Sequence, residues 1–150
     1  MSSYRQILYH SVLGTKNRYD TIPNSHCEEL YRYIGGIVKS KGCTVYQING
    51  VGDHIHLLTD LHPSLSLADF IKDIKVASSI WMKEHTSFPR WNAWGKGYGA
   101  FTCNFSEKNR ITSYIKRQKE HHKKESFLEE YKRLLTENGM EFNDRYLFLW

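Results

Sequence analysis

The sequence predicts an α+β fold: one antiparallel sheet built in the order β-α-β-β-α-β, with further helices after it. Three observations carry this. Residues 25–42 and 66–84 place apolar side chains at three- and four-residue steps, and four other stretches are short and rich in β-branched and aromatic residues. The middle two of those stretches are joined only by the turn-forming GVGD at 50–53, which makes them a hairpin. Two strand–helix units sharing a central hairpin give the split β-α-β, ferredoxin-like (RRM-like) arrangement.

Each element has its own signal. Residues 4–13, YRQILYHSVL, read as the first strand, and residues 14–24 as a polar loop containing Pro23. Ser25 and Glu28 have capping-box spacing, and Cys27, Leu30, Tyr31, Ile34, Ile37 and Val38 then mark one helix face that ends near Gly42. Residues 44–51 form the second strand. The third follows at His54-Ile55-His56-Leu57-Leu58-Thr59. Ser66 and Asp69 repeat the capping signal for a second helix through Leu67, Phe70, Ile71, Ile74, Ala77, Ser78 and Trp81. After the loop SFPRWNAWGKG, the stretch GYGAFTCNF reads as a fourth strand, and its glycines are turn residues because no helix opens directly after them to hold a phosphate. A third helix starts at Ser106. Ser126 with Glu129 restarts helix through Leu128, Tyr131, Leu134 and Leu135 until Asn138-Gly139. The apolar, aromatic tail MEFNDRYLFLW is expected to dock on the core or on a partner subunit.

One hundred and fifty residues suit a single domain, 1–150, with a core at about 4–104 and the third helix and tail at about 106–150. Apolar residues make up 40% and charged residues 25%, a soluble balance, and no eighteen-residue apolar run is present to span a membrane. With no apolar leader in MSSYRQILYH, a cytoplasmic location is expected. Cys27, Cys43 and Cys103 lack C-x-x-C spacing and read as free, buried thiols in a reducing compartment.

Charge is concentrated rather than spread. Residues 108–124 hold seven Lys or Arg against the single acid Glu120, a net +6 in a chain whose total is +5. A basic stripe confined to one segment is the footprint of a polyphosphate partner, above all nucleic acid. A solvated helix face is the rival reading, and the position of Tyr114 inside the stripe favours the former.

His54 and His56 are two apart on a strand, so their side chains share a face with about 7 Å between backbones and could converge on one divalent cation. Two imidazoles are too few for tight binding. Downstream, Tyr114 and Gln118 are spaced i, i+4, which puts a phenol and an amide on one helix face. A phenol is a poor nucleophile at neutral pH, where roughly one part in a thousand is ionised, so it needs an easier electrophile. A cation held by His54, His56 and the Gln118 amide oxygen would supply that by polarising a phosphodiester. Mixed nitrogen and oxygen donors suit Mg²⁺ or Mn²⁺. Taken singly, each motif also has a structural reading: H-x-H in a buried strand, a packed tyrosine, a surface glutamine. A metallo-β-lactamase would need H-x-H-x-D-H, which Leu57, Leu58 and Thr59 do not provide, and a metal-dependent (β/α)8 barrel needs a longer chain.

The pairing of His54-Ile55-His56-Leu57-Leu58 with Tyr114-Ile115-Lys116-Arg117-Gln118 resembles the single-tyrosine HUH transposases of single-strand-DNA insertion sequences, together with their REP-associated relatives. The resemblance covers roughly residues 4–122. It implies a metal-dependent enzyme on single-stranded DNA with hairpin ends. Tyr114 would attack a phosphodiester to leave a 5′-phosphotyrosine and a free 3′-OH, which later attacks the other subunit's phosphotyrosine. No nucleotide cofactor is required, because the covalent intermediate keeps the bond energy. A homodimer is implied, in which the tyrosine helix could serve either subunit, and the polar stretch 104–109 would permit the exchange.

Secondary expectations follow. Lys116 and Arg117 could hold phosphates, and Lys119, Lys123 and Lys124 supply general backbone attraction. His121 and His122 read as a solvent-facing helix end, Asp53 as a turn residue, and Trp91, Trp94 and Tyr98 as base-stacking or packed aromatics. Two other functions stay open: a non-catalytic single-strand-binding module on the same fold, although no RNP-like aromatic strand is present, and a domesticated relative that nicks without transposing.

Overall fold

The computed structural model describes residues 2–147. The strands are β1 (Leu8–Gly14), β2 (Val45–Val51), β3 (His54–Asp60) and β4 (Gly99–Cys103), and the helices are α1 (Cys27–Ser40), α2 (Leu67–Glu84), α3 (Lys108–Lys116), α4 (Gln118–His121) and α5 (Phe127–Glu137). The sheet runs β2-β3-β1-β4, and every pairing is antiparallel. This is the expected ferredoxin-like order with added C-terminal helices.

The sheet is covered on both faces. Leu13, Ile55 and Leu57 pack with Leu30, Ile34 and Val38 of α1 and with Phe70, Ile71 and Ile74 of α2. On the other face Leu8 and Leu58 meet Ile115, while Val12 and Phe101 meet Phe127, Tyr131, Leu134 and Leu135 of α5. Strand residues alternate between faces, so His10, His54 and His56 point into the second layer and are 4%, 0% and 0% exposed. Three histidines are thereby sealed under the C-terminal helices.

Several local expectations are corrected. β1 starts at Leu8 because its partners Asp60 and Cys103 end there, which leaves residues 4–7 off the sheet. The Ser25–Glu28 capping box does not form: His26 occupies the N-cap position and its side chain caps no backbone amide, while Glu28 and Glu29 supply first-turn negative charge. The third helix is not continuous either. A short 3-10 turn, Phe105–Glu107, precedes α3, and Arg117 leaves the helical region and separates α3 from α4. Ser66 and Ser126 do cap their helices, accepting from the backbone amides of Asp69 and Glu129. Cys27 and Cys43 are free and buried, whereas Cys103 is only partly so. Trp91 and Trp94 are core residues whose indole N–H groups donate to Ser79 and Ser78, so base stacking falls away for both. Leu147 packs against the α5 cluster, and the last three residues of the expected docking tail lie outside the described residues.

Lys75 on α2 gives a stability prediction. Its amine donates to the carbonyls of Gly95 and Gly97 at 2.8 and 2.7 Å, and burial lowers its pKa to about 8. The unfolded chain therefore binds a proton that the folded chain lacks above about pH 8, so this group's contribution to stability rises with pH from there towards 10.5. Urea midpoints of wild type relative to Lys75→Met should diverge in favour of wild type between pH 8 and 9.5. The slope stays well below about 1.4 kcal/mol per pH unit, because water reaches the amine in part.

Candidate active site

The β2–β3 hairpin turn is tied to the end of β1: the Thr15 amide donates to Asp53 O at 2.9 Å, and the Thr21 and Ile22 amides both donate to Gly52 O. This fixes the start of β3, where His54 stands. On the opposite side, Asn49 of β2 donates through its amide to the Ile115 and Lys116 carbonyls at 3.0 Å, and Lys119 Nζ reaches Asn49 Oδ1 and Gly50 O at 3.1 and 3.0 Å. The hairpin thus grips the α3–α4 junction directly beside the histidine strand.

Glu130 of α5 is the centre of the site, although it fell outside every sequence motif. It is 0% exposed, and its Oε1 lies 3.1 Å from His54 Nε2, 3.0 Å from His56 Nε2 and 2.9 Å from His122 Nε2. Its Oε2 accepts from Gln118 Nε2 at 2.8 Å and from the Tyr114 hydroxyl. The Gln118 amide oxygen in turn lies 3.1 Å from His54 Nε2. His54, His56, Tyr114 and Gln118 are therefore brought together, the last two from separate helices across the break at Arg117 rather than from one helix face, and Glu130 joins all four.

Two further partners orient the rings. His54 Nδ1 meets Asp53 Oδ1 at 2.7 Å, and His56 Nδ1 meets His10 Nε2 at 2.8 Å. Engaging Nδ1 in each case directs Nε2 at the common centre, the usual way a histidine is prepared as a ligand. Phe127 stacks on His54 with ring centroids 3.9 Å apart. Asp53 thus does more than turn the chain, and His122, 7% exposed, faces the site rather than solvent.

The electrostatics follow from burial and partners. Burial alone would raise the Glu130 carboxyl, but His56 beside it and the hydrogen bonds from His122, His54 and His56 hold it well below the usual carboxylate range. Burial lowers His56 to about 4 and, with His56 beside it, His10 to about 3. For His54 burial also pulls down, yet the bonds to Asp53 and Glu130 outweigh it and the pKa rises. Burial, together with the neighbouring Glu130 charge, pushes the Tyr114 phenol up, opposed by Arg133.

One ligand atom each from His54, His56, His122 and Glu130 lies within 4.8 Å of the others. Three imidazole nitrogens around one ionised carboxylate oxygen fit a divalent cation in donor type and in charge. Among the proposed DNA contacts, Lys116, Arg117, Lys123 and Lys124 are exposed on the surface next to the site, whereas Lys119 is bound to the hairpin. No helix among the described residues is long and apolar enough to cross a membrane.

Glu130 and His10 had legible signals of one kind. Glu130 lies on the apolar stripe Phe127, Tyr131, Leu134 of a capped helix, and His10 alternates with Leu8 and Val12 on a buried strand face. A polar residue on an apolar stripe needs a partner, and here the partners are each other's neighbours.

Comparison with known proteins identifies the family. Residues 3–118 match the family model described as Transposase IS200 like. The chain is 28% identical over 120 residues to ISDra2 transposase TnpA of Deinococcus radiodurans, covering 75% of this chain and 84% of that protein. It resembles the crystal structure of a Deinococcus radiodurans R1 protein assigned as a transposase, with TM-score 0.60 and 26% identity over 79% of this chain and 95% of the other. It also shares the fold of a REP-associated tyrosine transposase bound to a REP hairpin, with TM-score 0.61 and 15% identity over 81% and 74% of the two chains. The match over 3–118 spans most of the chain and contains the histidine strand, the tyrosine and the glutamine, so this protein belongs to the IS200-like transposase family.

Proposed function

We propose that this transposase cleaves and rejoins single-stranded DNA through a 5′-phosphotyrosine on Tyr114, with a divalent cation, Mg²⁺ or Mn²⁺, at the histidine cluster. The observation that carries the reading is the convergence of His54, His56, Gln118 and the Tyr114 hydroxyl on one buried carboxylate, Glu130.

A cation held by His54, His56, His122 and Glu130, with the Gln118 amide oxygen beside them, would polarise the scissile phosphodiester and stabilise the leaving 3′ oxygen. The chain's own residues do the rest. His10 and Asp53 keep the rings turned inward, Glu130 receives the phenol hydrogen bond, and α3 holds Tyr114 against β3 of the same chain. Exposed Lys116, Arg117, Lys123 and Lys124 attract the phosphate backbone around the site. A homodimer is part of the reading, and so are strands that carry hairpin ends, the latter supported by the hairpin-bound structure that shares this fold.

The test is a denaturing-gel search for a covalent protein–DNA adduct, using labelled single strands from both flanks of the gene, with Mg²⁺ or Mn²⁺ and with chelator. A metal-dependent adduct is expected. Strands that bind without ever forming an adduct would instead favour a binding module. His54→Ala and His56→Ala should each lower metal-dependent cleavage by roughly 10²-fold or more while changing single-strand affinity by less than about threefold, since affinity comes from the basic surface. Parallel loss of both, with a lowered melting temperature, would mean that the histidines hold the fold instead.

A further inference from the structure

α5 lies beyond the span 3–118 that the family model matches, yet two of its side chains hold the reacting oxygen of Tyr114. The phenol donates to Glu130 and accepts from Arg133 Nη2 at 2.8 Å, and the guanidinium lies over the tyrosine ring, 5.5 Å from its centroid. The guanidinium does not hang loosely. Glu125 accepts from Nε at 3.0 Å and from Nη2 at 3.3 Å, Glu137 accepts from Nη1 at 3.2 Å, and His121 Nε2 stands 3.2 Å from Nη2. Arg133 also lines, with Tyr114, His10, Phe101 and Arg110, a cavity of about 310 Å³ beside the phenol. A fixed positive group is thus bonded to the atom on which negative charge must appear, at the wall of a cavity that Arg110, Glu107 and Glu137 also line.

We propose that Arg133 is a catalytic residue of both transfer steps, its Nη2–H stabilising the negative charge on the Tyr114 oxygen as that oxygen attacks phosphorus and again as it departs. The inference rests on Tyr114 being the nucleophile. In cleavage, the Tyr114 O–P bond forms and the P–O3′ bond breaks. The phenol proton passes to solvent while Glu130, faced by three imidazoles, stays ionised, and the 3′ oxygen takes a proton from water. In rejoining, a 3′-OH gives its proton to solvent and bonds to phosphorus, the Tyr114 O–P bond breaks, and the phenolate takes a proton back. Charge on the phenolic oxygen therefore faces the Glu130 carboxylate in both directions and needs a compensating cation. Arginine suits this because it stays charged throughout and its planar fork can be fixed by the two glutamates while one N–H remains aimed at the tyrosine.

The experiment compares Arg133→Gln and Arg133→Lys with wild type in the full-length chain, on flank-derived single strands with Mn²⁺. It follows adduct formation, and then resolution of the isolated adduct by a 3′-OH oligonucleotide. Arg133→Gln should slow both steps by roughly 10²-fold, the usual cost of one oxyanion donor, with Arg133→Lys in between. The decisive arm repeats the resolution step with 3,5-difluorotyrosine at position 114, a better leaving group that needs less stabilisation. There the loss on Arg133→Gln should shrink to about tenfold.

The same loss with both tyrosines would show that Arg133 merely positions the ring and would overturn the proposal, as would unchanged rates in Arg133→Gln. If Arg133→Gln does not yield folded protein by thermal melting, the Arg133→Lys comparison with the two tyrosines carries the same test. A wild type that binds the strands but forms no adduct overturns the tyrosine-nucleophile reading and this inference with it. An adduct in wild type with indifference to Arg133 overturns this inference alone.

Discussion

Tyr114→Phe is expected to abolish the covalent adduct, a loss of more than roughly 10³-fold, while leaving single-strand affinity within about twofold. The substitution removes one oxygen from a half-buried ring that otherwise packs against Leu8, Leu58 and Ile115, so the fold has little reason to change. What the oxygen leaves behind is also tolerable. Glu130 Oε2 keeps its bond from Gln118, and Arg133 keeps both glutamates. The melting temperature should therefore fall only slightly, by the equivalent of about 1 kcal/mol, the net worth of a typical hydrogen bond. Adduct formation by the phenylalanine variant, read on a denaturing gel, would place the nucleophile elsewhere. A large loss of DNA affinity would mean that the tyrosine is chiefly a contact residue.

Glu130→Gln is expected to have the widest consequences of any single change. It preserves shape but removes the negative charge that faces three imidazoles and a phenol inside a closed layer. In metal-free protein the loss should be about 3 kcal/mol, because three buried imidazoles share the Glu130 carboxylate as a common acceptor. In titrations with Mn²⁺, followed by calorimetry, affinity should fall by roughly 10²-fold or more, since the variant deletes the only anionic donor of the cluster. Adduct formation should fall with it. Lost stability with Mn²⁺ affinity unchanged would show instead that the carboxylate serves only as a structural acceptor for the histidines. Metal uptake should also release protons from His54, whose pKa the bonds to Asp53 and Glu130 raise and whose Nε2 must offer a lone pair to a cation.

The β-α-β-β-α-β order was legible because each element announces itself locally: periodicities of two and near four, serines three residues ahead of an acid, and a hairpin turn too short for any other connection. That local reading failed at two places. Ser25 does not cap α1, whose N-cap position falls to His26, and the third helix breaks at Arg117, beside the carbonyls of Ile115 and Lys116 that Asn49 holds.

His54 and His56 could be paired from the sequence because a spacing of two on a strand implies a shared face, whereas Tyr114 and Gln118, four apart in sequence, sit on α3 and α4 either side of the break at Arg117 and meet only at Glu130. Glu130, His10, His122 and Arg133 could not be joined to them that way, because they reach the site through the docking of separate elements: α5 onto Val12 and Phe101, and β1 alongside β3. Sequence thus determined the candidate residues and the strand face that His54 and His56 share. Only tertiary packing decided that two faces would close on one carboxylate: periodicity fixes direction within an element, whereas burying Phe127, Tyr131, Leu134 and Leu135 against the sheet is what carries Glu130 across 76 residues of chain to His54.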